Sequence, residues 1–415
     1  MKNNRNATNI IIVLDALKSS FIENINSRIS FHIRRERKME KLTGEIIPPF
    51  SFEPDEAFLT GHYPEETNSG THFCYAPRTS PFYGMQRFFK VVDRMPYTIQ
   101  VALRRWLRWY VKHRIEAGRL RRDVHTARIP FRFLRYFDIV GKYSPLDEGF
   151  SQFPTIFDLL KRSGKKATYL GAPISSPRSK DVLSRLRETP LSGTDLLFLF
   201  VGDLDEIGHR YGPASKEYYE GIQDMGDFIE EVITLVRRQA RLSSILIFGD
   251  HGMVEVNKIV DLQTLLQSLP VIPTKDYVYF LDSTMARFWF FNKCARQIVT
   301  EAMQEIKDGR FITNEDRIKY RIRYRDNRFG ELIWWADGRT LILPNFWQGN
   351  KWVKGMHGYR HEVRENHAGF LLLDPHLKET KIFENPIEMV DIFATIVDML
   401  GLDMPEGAHG RSLYT

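Results

Sequence analysis

The sequence predicts an α/β fold: a doubly wound, mostly parallel central sheet with helices on both faces, carrying a small inserted α+β cap. Three observations lead there. Residues 196–201 (LLFLFV) and 245–248 (ILIF) are continuous apolar runs, as expected of strands covered on both faces. Such runs alternate with helical patterns, at 154–161 before a strand at 164–170, and at 214–240. Both runs lead into a carboxylate and an imidazole: Asp205 and His209 stand four positions apart behind the first, and Gly249-Asp250-His251-Gly252 follows the second. In open α/β sheets, ligands bind at that C-terminal rim of the strands.

The chain has 415 residues, 43% hydrophobic and 27% charged, enough for a sizeable core in one large domain with insertions, or in two domains. Its apolar runs fall far short of the ~20 residues of a membrane span. At the N-terminus, MKNNRNATNIIIVLD offers too short an apolar stretch for a signal peptide, and Asp15 stands directly behind it, so a cytoplasmic protein is expected. Cys74 and Cys294 are the only cysteines, which argues against a disulfide framework and excludes a thiolate zinc site. The net charge of +7 is local. Residues 81–142 hold fifteen Lys and Arg against four Asp and Glu, a net +11, leaving −4 for the rest.

In chain order, a strand at 9–14 runs into Asp15, which alone reads equally as a ligand or as a helix cap. Residues 18–46 are expected to be helical and then irregular, with RRERKMEK as a solvated face. Pro48 and Pro49 enforce extended backbone, and Ser51 precedes a short helix with Pro54 in its first turn. By itself, Ser51 reads as an N-cap.

Together, however, the motifs carry a resemblance. Gly61-His62-Tyr63-Pro64-Glu65-Glu66 resembles the TGLYPE signature of the type I phosphodiesterase/nucleotide pyrophosphatase family, within the alkaline phosphatase superfamily. Counting back from Gly61, Ser51 falls on that family's Thr or Ser nucleophile. The segment from Asp205 to Pro213 is similar to its D-x-x-G-H-x-x-G-P, Asp250-His251-Gly252-Met253 to its D-H-G-M, and His357-Gly358-Tyr359 to its late H-G-Y. The resemblance implies an alkaline-phosphatase-like fold and a hydrolase of phosphodiester or diphosphate bonds with two divalent metal ions, zinc by preference. One ion would be held by Asp15, Asp250 and His251, the other by Asp205, His209 and His357, with the Ser51 oxygen between them. The residue types suit this chemistry independently: carboxylate and imidazole donors without thiolate fit zinc at a hydrolytic site, and a serine hydroxyl is a weak nucleophile until activated.

The sequence also departs from the family. Ungapped alignment puts His72 where relatives carry a phosphate-binding Asn, while Asn68 stands four residues earlier, so either is a substrate-binding candidate. Arg360 replaces the Asp of H-G-Y-D-N. Asp203 ranks behind Asp205, because only Asp205 keeps the spacing to His209. His361 and His367 read as surface residues or as supports for ligands. A phosphomonoesterase, a phosphotransferase acting on a glycan or lipid alcohol, and an inactive membrane-docked relative are the alternatives.

The core is assigned to residues 1–275 and 347–415, with a basic aromatic insert at 81–142 and the cap at 276–346, where β-rich runs flank one helix near 295–307. Within the insert, Ile99, Leu103, Trp106, Leu107, Tyr110, Val111 and Ile115 recur at helical spacing among arginines. This cationic amphipathic helix is expected to be a lid. Residues 97–122 also offer a peripheral contact with the inner face of a membrane. Nucleic acid is disfavoured, since no nucleic-acid fold motif accompanies the charge. The expected substrate is a small phosphate ester or a lipid-linked phosphate.

Overall fold

A computed structural model describes residues 7–29, 39–50, 55–114, 128–140, 144–147, 149–171 and 177–415. Its main sheet runs in the order Lys381–Ile382, Glu40–Ile47, Ala368–Asp374, Arg241–Phe248, Ala7–Leu14, Leu196–Val201, Ala167–Leu170, and Ile387–Glu388 also pairs with Glu40–Ile47. The four strands from Arg241–Phe248 to Ala167–Leu170 are mutually parallel, whereas Ala368–Asp374 is antiparallel to both its neighbours, so the sheet is mixed.

Side chains alternate across a strand, and the first strand feeds two cores. Ile10, Ile12 and Leu14 pack with Ile25, Val182, Ile229 and Val232 from the helices Ile22–Arg28, Ser179–Glu188 and Lys216–Gln239. Ile11 and Val13 face Phe58, Ile156 and Phe393 from Asp55–Thr60, Ile156–Arg162 and Met389–Met399. Helices therefore cover both faces.

Residues 18–46 depart from expectation. A 3-10 turn and the helix Ile22–Arg28 are followed, after the undescribed residues 30–38, by the strand Glu40–Ile47. The charges of Glu40, Lys41 and Glu45 conceal it in the sequence. The fold pairs all three: Glu45 with Arg364 and His367, Glu40 with the hydroxyl of Thr380, and Lys41 with Glu23.

Late in the chain, Tyr277–Leu281, Met285–Phe290, Leu332–Ala336 and Gly309–Phe311 form an antiparallel four-stranded sheet with the helix Lys293–Gln304. A second helix, Asn314–Lys319, was not expected there; Thr313 and Asp316 form its capping box. Thr340–Ile342 leaves this sheet to pair in parallel with Lys258–Val260.

The insert's helices Gln86–Val92, Tyr97–Arg114 and Phe131–Leu134 share one aromatic core with the late sheet, in which Phe89, Leu107, Phe131 and Phe133 meet Tyr279 and Phe280. The apolar positions of the long insert helix do not form the single face expected of them. Leu103, Leu107 and Tyr110 pack inward, while Ile99, Trp106 and Trp109 are exposed. Residues 115–122 of the expected membrane-facing segment, Ile115 among them, lie outside the described residues.

Candidate metal centre

Strand register delivers the acidic residues to one rim. Leu14 pairs with Val201 and Val13 with Phe248, so three parallel strands end level. Asp15 follows the first directly, and its backbone N–H donates to the Val201 carbonyl at 2.9 Å. Past Val201, Gly202 opens the helix Asp203–Tyr211, on which Asp205 and His209 lie four apart and so share a face, with His209 Nε2 3.2 Å from Asp205 Oδ1. Past Phe248 come Asp250 and His251. Gly355–Met356 pairs antiparallel with Val254–Glu255, which sets His357 opposite Met253, two residues from His251. The His251 and His357 rings stack at 3.6 Å.

Gly252 permits this turn, because a Cβ there would lie 2.4 Å from the Glu365 carbonyl oxygen and 2.5 Å from that of His367. The imidazoles are oriented from behind. His209 Nδ1 is 2.8 Å from the Gly355 carbonyl and His251 Nδ1 2.8 Å from that of Gly252, so each Nδ1 is the donor and each Nε2 points into the site. His251 Nε2 lies 3.3 Å from Asp15 and 3.7 Å from Asp250, and His357 Nε2 3.7 Å from Asp205.

The electrostatics suit a cation. Donor atoms of Asp15, Asp250 and His251, and likewise of Asp205, His251 and His357, all lie within 4.8 Å of one another. Burial and the neighbouring Asp15 carboxylate push Asp250 up to about 7. Burial opposes charge on His251, but Asp250, Asp15 and Asp205 outweigh it and raise the imidazole to about 10. At Asp205 burial is outweighed by His209, which lowers the carboxyl, while burial and His251 hold His357 well below the usual histidine range. Asp205 Oδ1 is buried and faces His209 Nε2 at 3.2 Å and His357 Nε2 at 3.7 Å. Converging carboxylates and inward Nε2 atoms make a donor set that fits divalent metal ions.

Ser51 lies outside the described residues. Phe50, just before it, is buried edge-on against Trp335, and the helix Asp55–Thr60 follows. Of the two substrate-binding candidates, His72 is the one near His357, whose protonation it disfavours after burial and His251. Its ring meets Trp347 at 4.9 Å. Asn68 instead ends the helix Pro64–Thr67 in a left-handed conformation and lines a separate cleft of about 1110 Å³ with Tyr75 and Phe150. Asp203 is engaged elsewhere, accepting from the backbone and hydroxyl of Ser179. His367 is not at the surface: it is 4% exposed, between Glu45 and the His361 carbonyl. His361 is partly buried against Tyr320. Sequence reasoning missed Tyr218, whose hydroxyl donates to the Ala16 carbonyl at 2.5 Å behind Asp15, and Trp347 beside His72. Neither had a signal, since each reaches the site from a distant element.

A family profile described as Type I phosphodiesterase / nucleotide pyrophosphatase matches residues 9–360. Among curated relatives, human ectonucleotide pyrophosphatase/phosphodiesterase family member 7 is 24% identical over 222 residues, 52% of this chain and 47% of that protein. The rat protein is 21% identical over 272 residues, 60% of each. The matched region thus spans about half to three-fifths of these relatives. Human ectonucleotide pyrophosphatase/phosphodiesterase 5 superposes with a TM-score of 0.68 at 15% identity, covering 98% of each chain. An inactive murine form of the same relative, in complex with AMP, gives 0.65 at 14%, covering 97% of this chain and 98% of that one. These structures share the fold, and with the profile spanning most of its length the chain belongs to the type I phosphodiesterase/nucleotide pyrophosphatase family, a family of hydrolases.

Proposed function

We propose that this chain is a metal-dependent phosphodiesterase that cleaves a phosphodiester or diphosphate through a phosphoester on Ser51. The observation that carries the reading is the meeting of two groups of donor atoms, Asp15, Asp250 and His251, and Asp205, His251 and His357, each within 4.8 Å, with His209 Nε2 3.2 Å from Asp205 Oδ1. Asp15, Asp250 and His251 would hold one ion and Asp205, His209 and His357 the other. Divalent ions, zinc by preference, would lower the pKa of a hydroxyl and offset charge on the entering and leaving oxygens.

The chain's own residues supply the rest. The Ser51 oxygen attacks phosphorus as the leaving-group oxygen departs, and water then cleaves the Ser51 ester to regenerate the hydroxyl. His72 donates a hydrogen bond to a non-bridging oxygen, the part taken by Asn in relatives. Trp347 fixes the His72 ring, and the backbone carbonyls of Gly355 and Gly252 keep His209 and His251 in the tautomer with Nε2 inward. The AMP complex of the murine relative supports a nucleotide-containing ester as a first substrate to try.

Turnover of a bis-aryl phosphate by the metal-loaded protein tests this. Ser51→Ala is expected to abolish turnover while metal content stays unchanged; full turnover in that variant would remove Ser51 from the mechanism. Rates on bis-aryl phosphate, aryl phosphate and aryl sulfate should fall in that order. A fastest rate on the monoester would make the protein a phosphomonoesterase.

A further inference from the structure

The insert turns apolar side chains in two directions. Inward, Phe89, Val92 and Leu107 are fully buried in the core shared with the late sheet. Outward, Tyr83 is 67% exposed, Phe88 45%, Val91 55%, Ile99 48%, Trp106 41% and Trp109 56%. Arg87, Arg94 and Arg105 are exposed among them. Residues 83–114 contain eight Lys and Arg and a single acidic residue, Asp93. That carboxylate is already engaged, accepting the backbone N–H groups of Phe131 and Arg132 at 2.9 Å each. It therefore does not neutralise the outer side of the insert.

Isolated apolar side chains on a surface need no explanation, but contiguous ones mark an interaction site, and helical spacing puts Phe88 and Val91 on one stripe of Gln86–Val92 and Ile99, Trp106 and Trp109 on one stripe of Tyr97–Arg114. We propose that the outer side of this insert docks on an anionic lipid bilayer. Phe88, Val91, Ile99 and Trp106 enter the boundary between headgroups and acyl chains, and Arg87, Arg94 and Arg105 engage lipid phosphates. Charge and apolar area act together here, the combination that holds amphipathic helices on anionic membranes. The helix lies on the bilayer, because no described helix is long and apolar enough to cross one. Single-stranded nucleic acid is a poorer match. Aromatic rings stack on bases, but Val91 and Ile99 have no ring to offer, whereas an acyl boundary rewards burial of both. This proposal is independent of the reaction assigned to the metal centre.

The test is co-sedimentation of the full chain with phosphatidylcholine vesicles and with vesicles that also contain phosphatidylglycerol. The protein should pellet with the mixed vesicles and be released by salt. At roughly fivefold in partitioning per arginine, Arg87→Glu/Arg94→Glu/Arg105→Glu should weaken binding by about a hundredfold or more. Phe88→Ser/Trp106→Ser should weaken it by about tenfold or more. Because these side chains lie at the surface, both variants should fold and keep the wild-type phosphodiesterase rate, the serine variant giving up only its ring contacts with Phe89 and Tyr110. Equal binding of wild-type protein to both vesicle types, or no binding to either, would overturn the proposal even if a variant failed to fold. So would unchanged binding by both folded variants. Binding to single-stranded RNA that anionic vesicles cannot displace would assign the surface to nucleic acid instead.

Discussion

Replacing Arg287 with methionine should be among the most damaging single changes outside the metal centre. Arg287 is 1% exposed on the strand Met285–Phe290, and its Nε donates to Asp282 Oδ2 at 2.6 Å, a carboxylate with no exposure at all. Its Nη1 donates to the Phe73 carbonyl at 2.8 Å, beside His72. Asp282 Oδ1 in turn accepts from Trp347 Nε1 at 3.1 Å. The pair thus ties the backbone next to His72 to the indole that packs on its ring. Arg287→Met leaves a buried carboxylate without its counter-charge, a loss of about 3–5 kcal/mol. Adding Asp282→Asn removes that charge while keeping an acceptor for Trp347, and should recover about 1–3 kcal/mol. Urea unfolding followed by tryptophan fluorescence measures both. A single variant costing under about 1 kcal/mol, as an exposed pair would, or a double variant no more stable than the single, would mean that Asp282 does not depend on Arg287 for its charge balance.

Burial lowers His361 to about 4 from an ordinary 6.5, so the unfolded chain takes up this proton first. The stability contributed is full above about pH 6.5 and lost as pH falls toward 4, about 3 kcal/mol at 1.36 kcal/mol per pH unit; His361→Phe should flatten that part of the unfolding profile, and an unchanged profile would contradict the burial effect. Gly252→Ala should cost about 1–3 kcal/mol, since its Cβ would press on two backbone carbonyls, and should weaken metal binding as His251 shifts; thermal melts with and without zinc separate the effects. Zinc at a hundredfold excess over its dissociation constant should add about 2.7 kcal/mol per site, reversibly with chelator. Asp205→Asn should lose much of that gain, and equal stabilisation of both proteins would count against Asp205 as a ligand.

Asp15, Asp205, His209, Asp250 and His251 were legible as rim residues because apolar runs lead into them, whereas His357 and the two ligand sets came only from the resemblance. Asp205 and His209 share a helical face at a separation visible in the sequence, and Asp250-His251 sits between glycines that the turn requires. Less was legible where charge interrupts a strand, as at Glu40–Ile47, whose Glu45 finds its partners Arg364 and His367 more than three hundred residues away. The insert helix is apolar over too wide an arc for its sequence to say which stripe is buried. Leu107 and Trp106 are neighbours in the chain, yet one is enclosed and the other exposed. That His72 sits beside Trp347 while Asn68 lines another cleft was not legible, because long-range packing alone decides it.

That six side chains on one rim hold divalent metal is tested by elemental analysis of the folded protein, purified without chelator and equilibrated with zinc. Two ions per chain are expected, falling in both Asp205→Asn and Asp250→Asn. A folded wild-type protein that retains no metal, or variants that keep both ions, would contradict it.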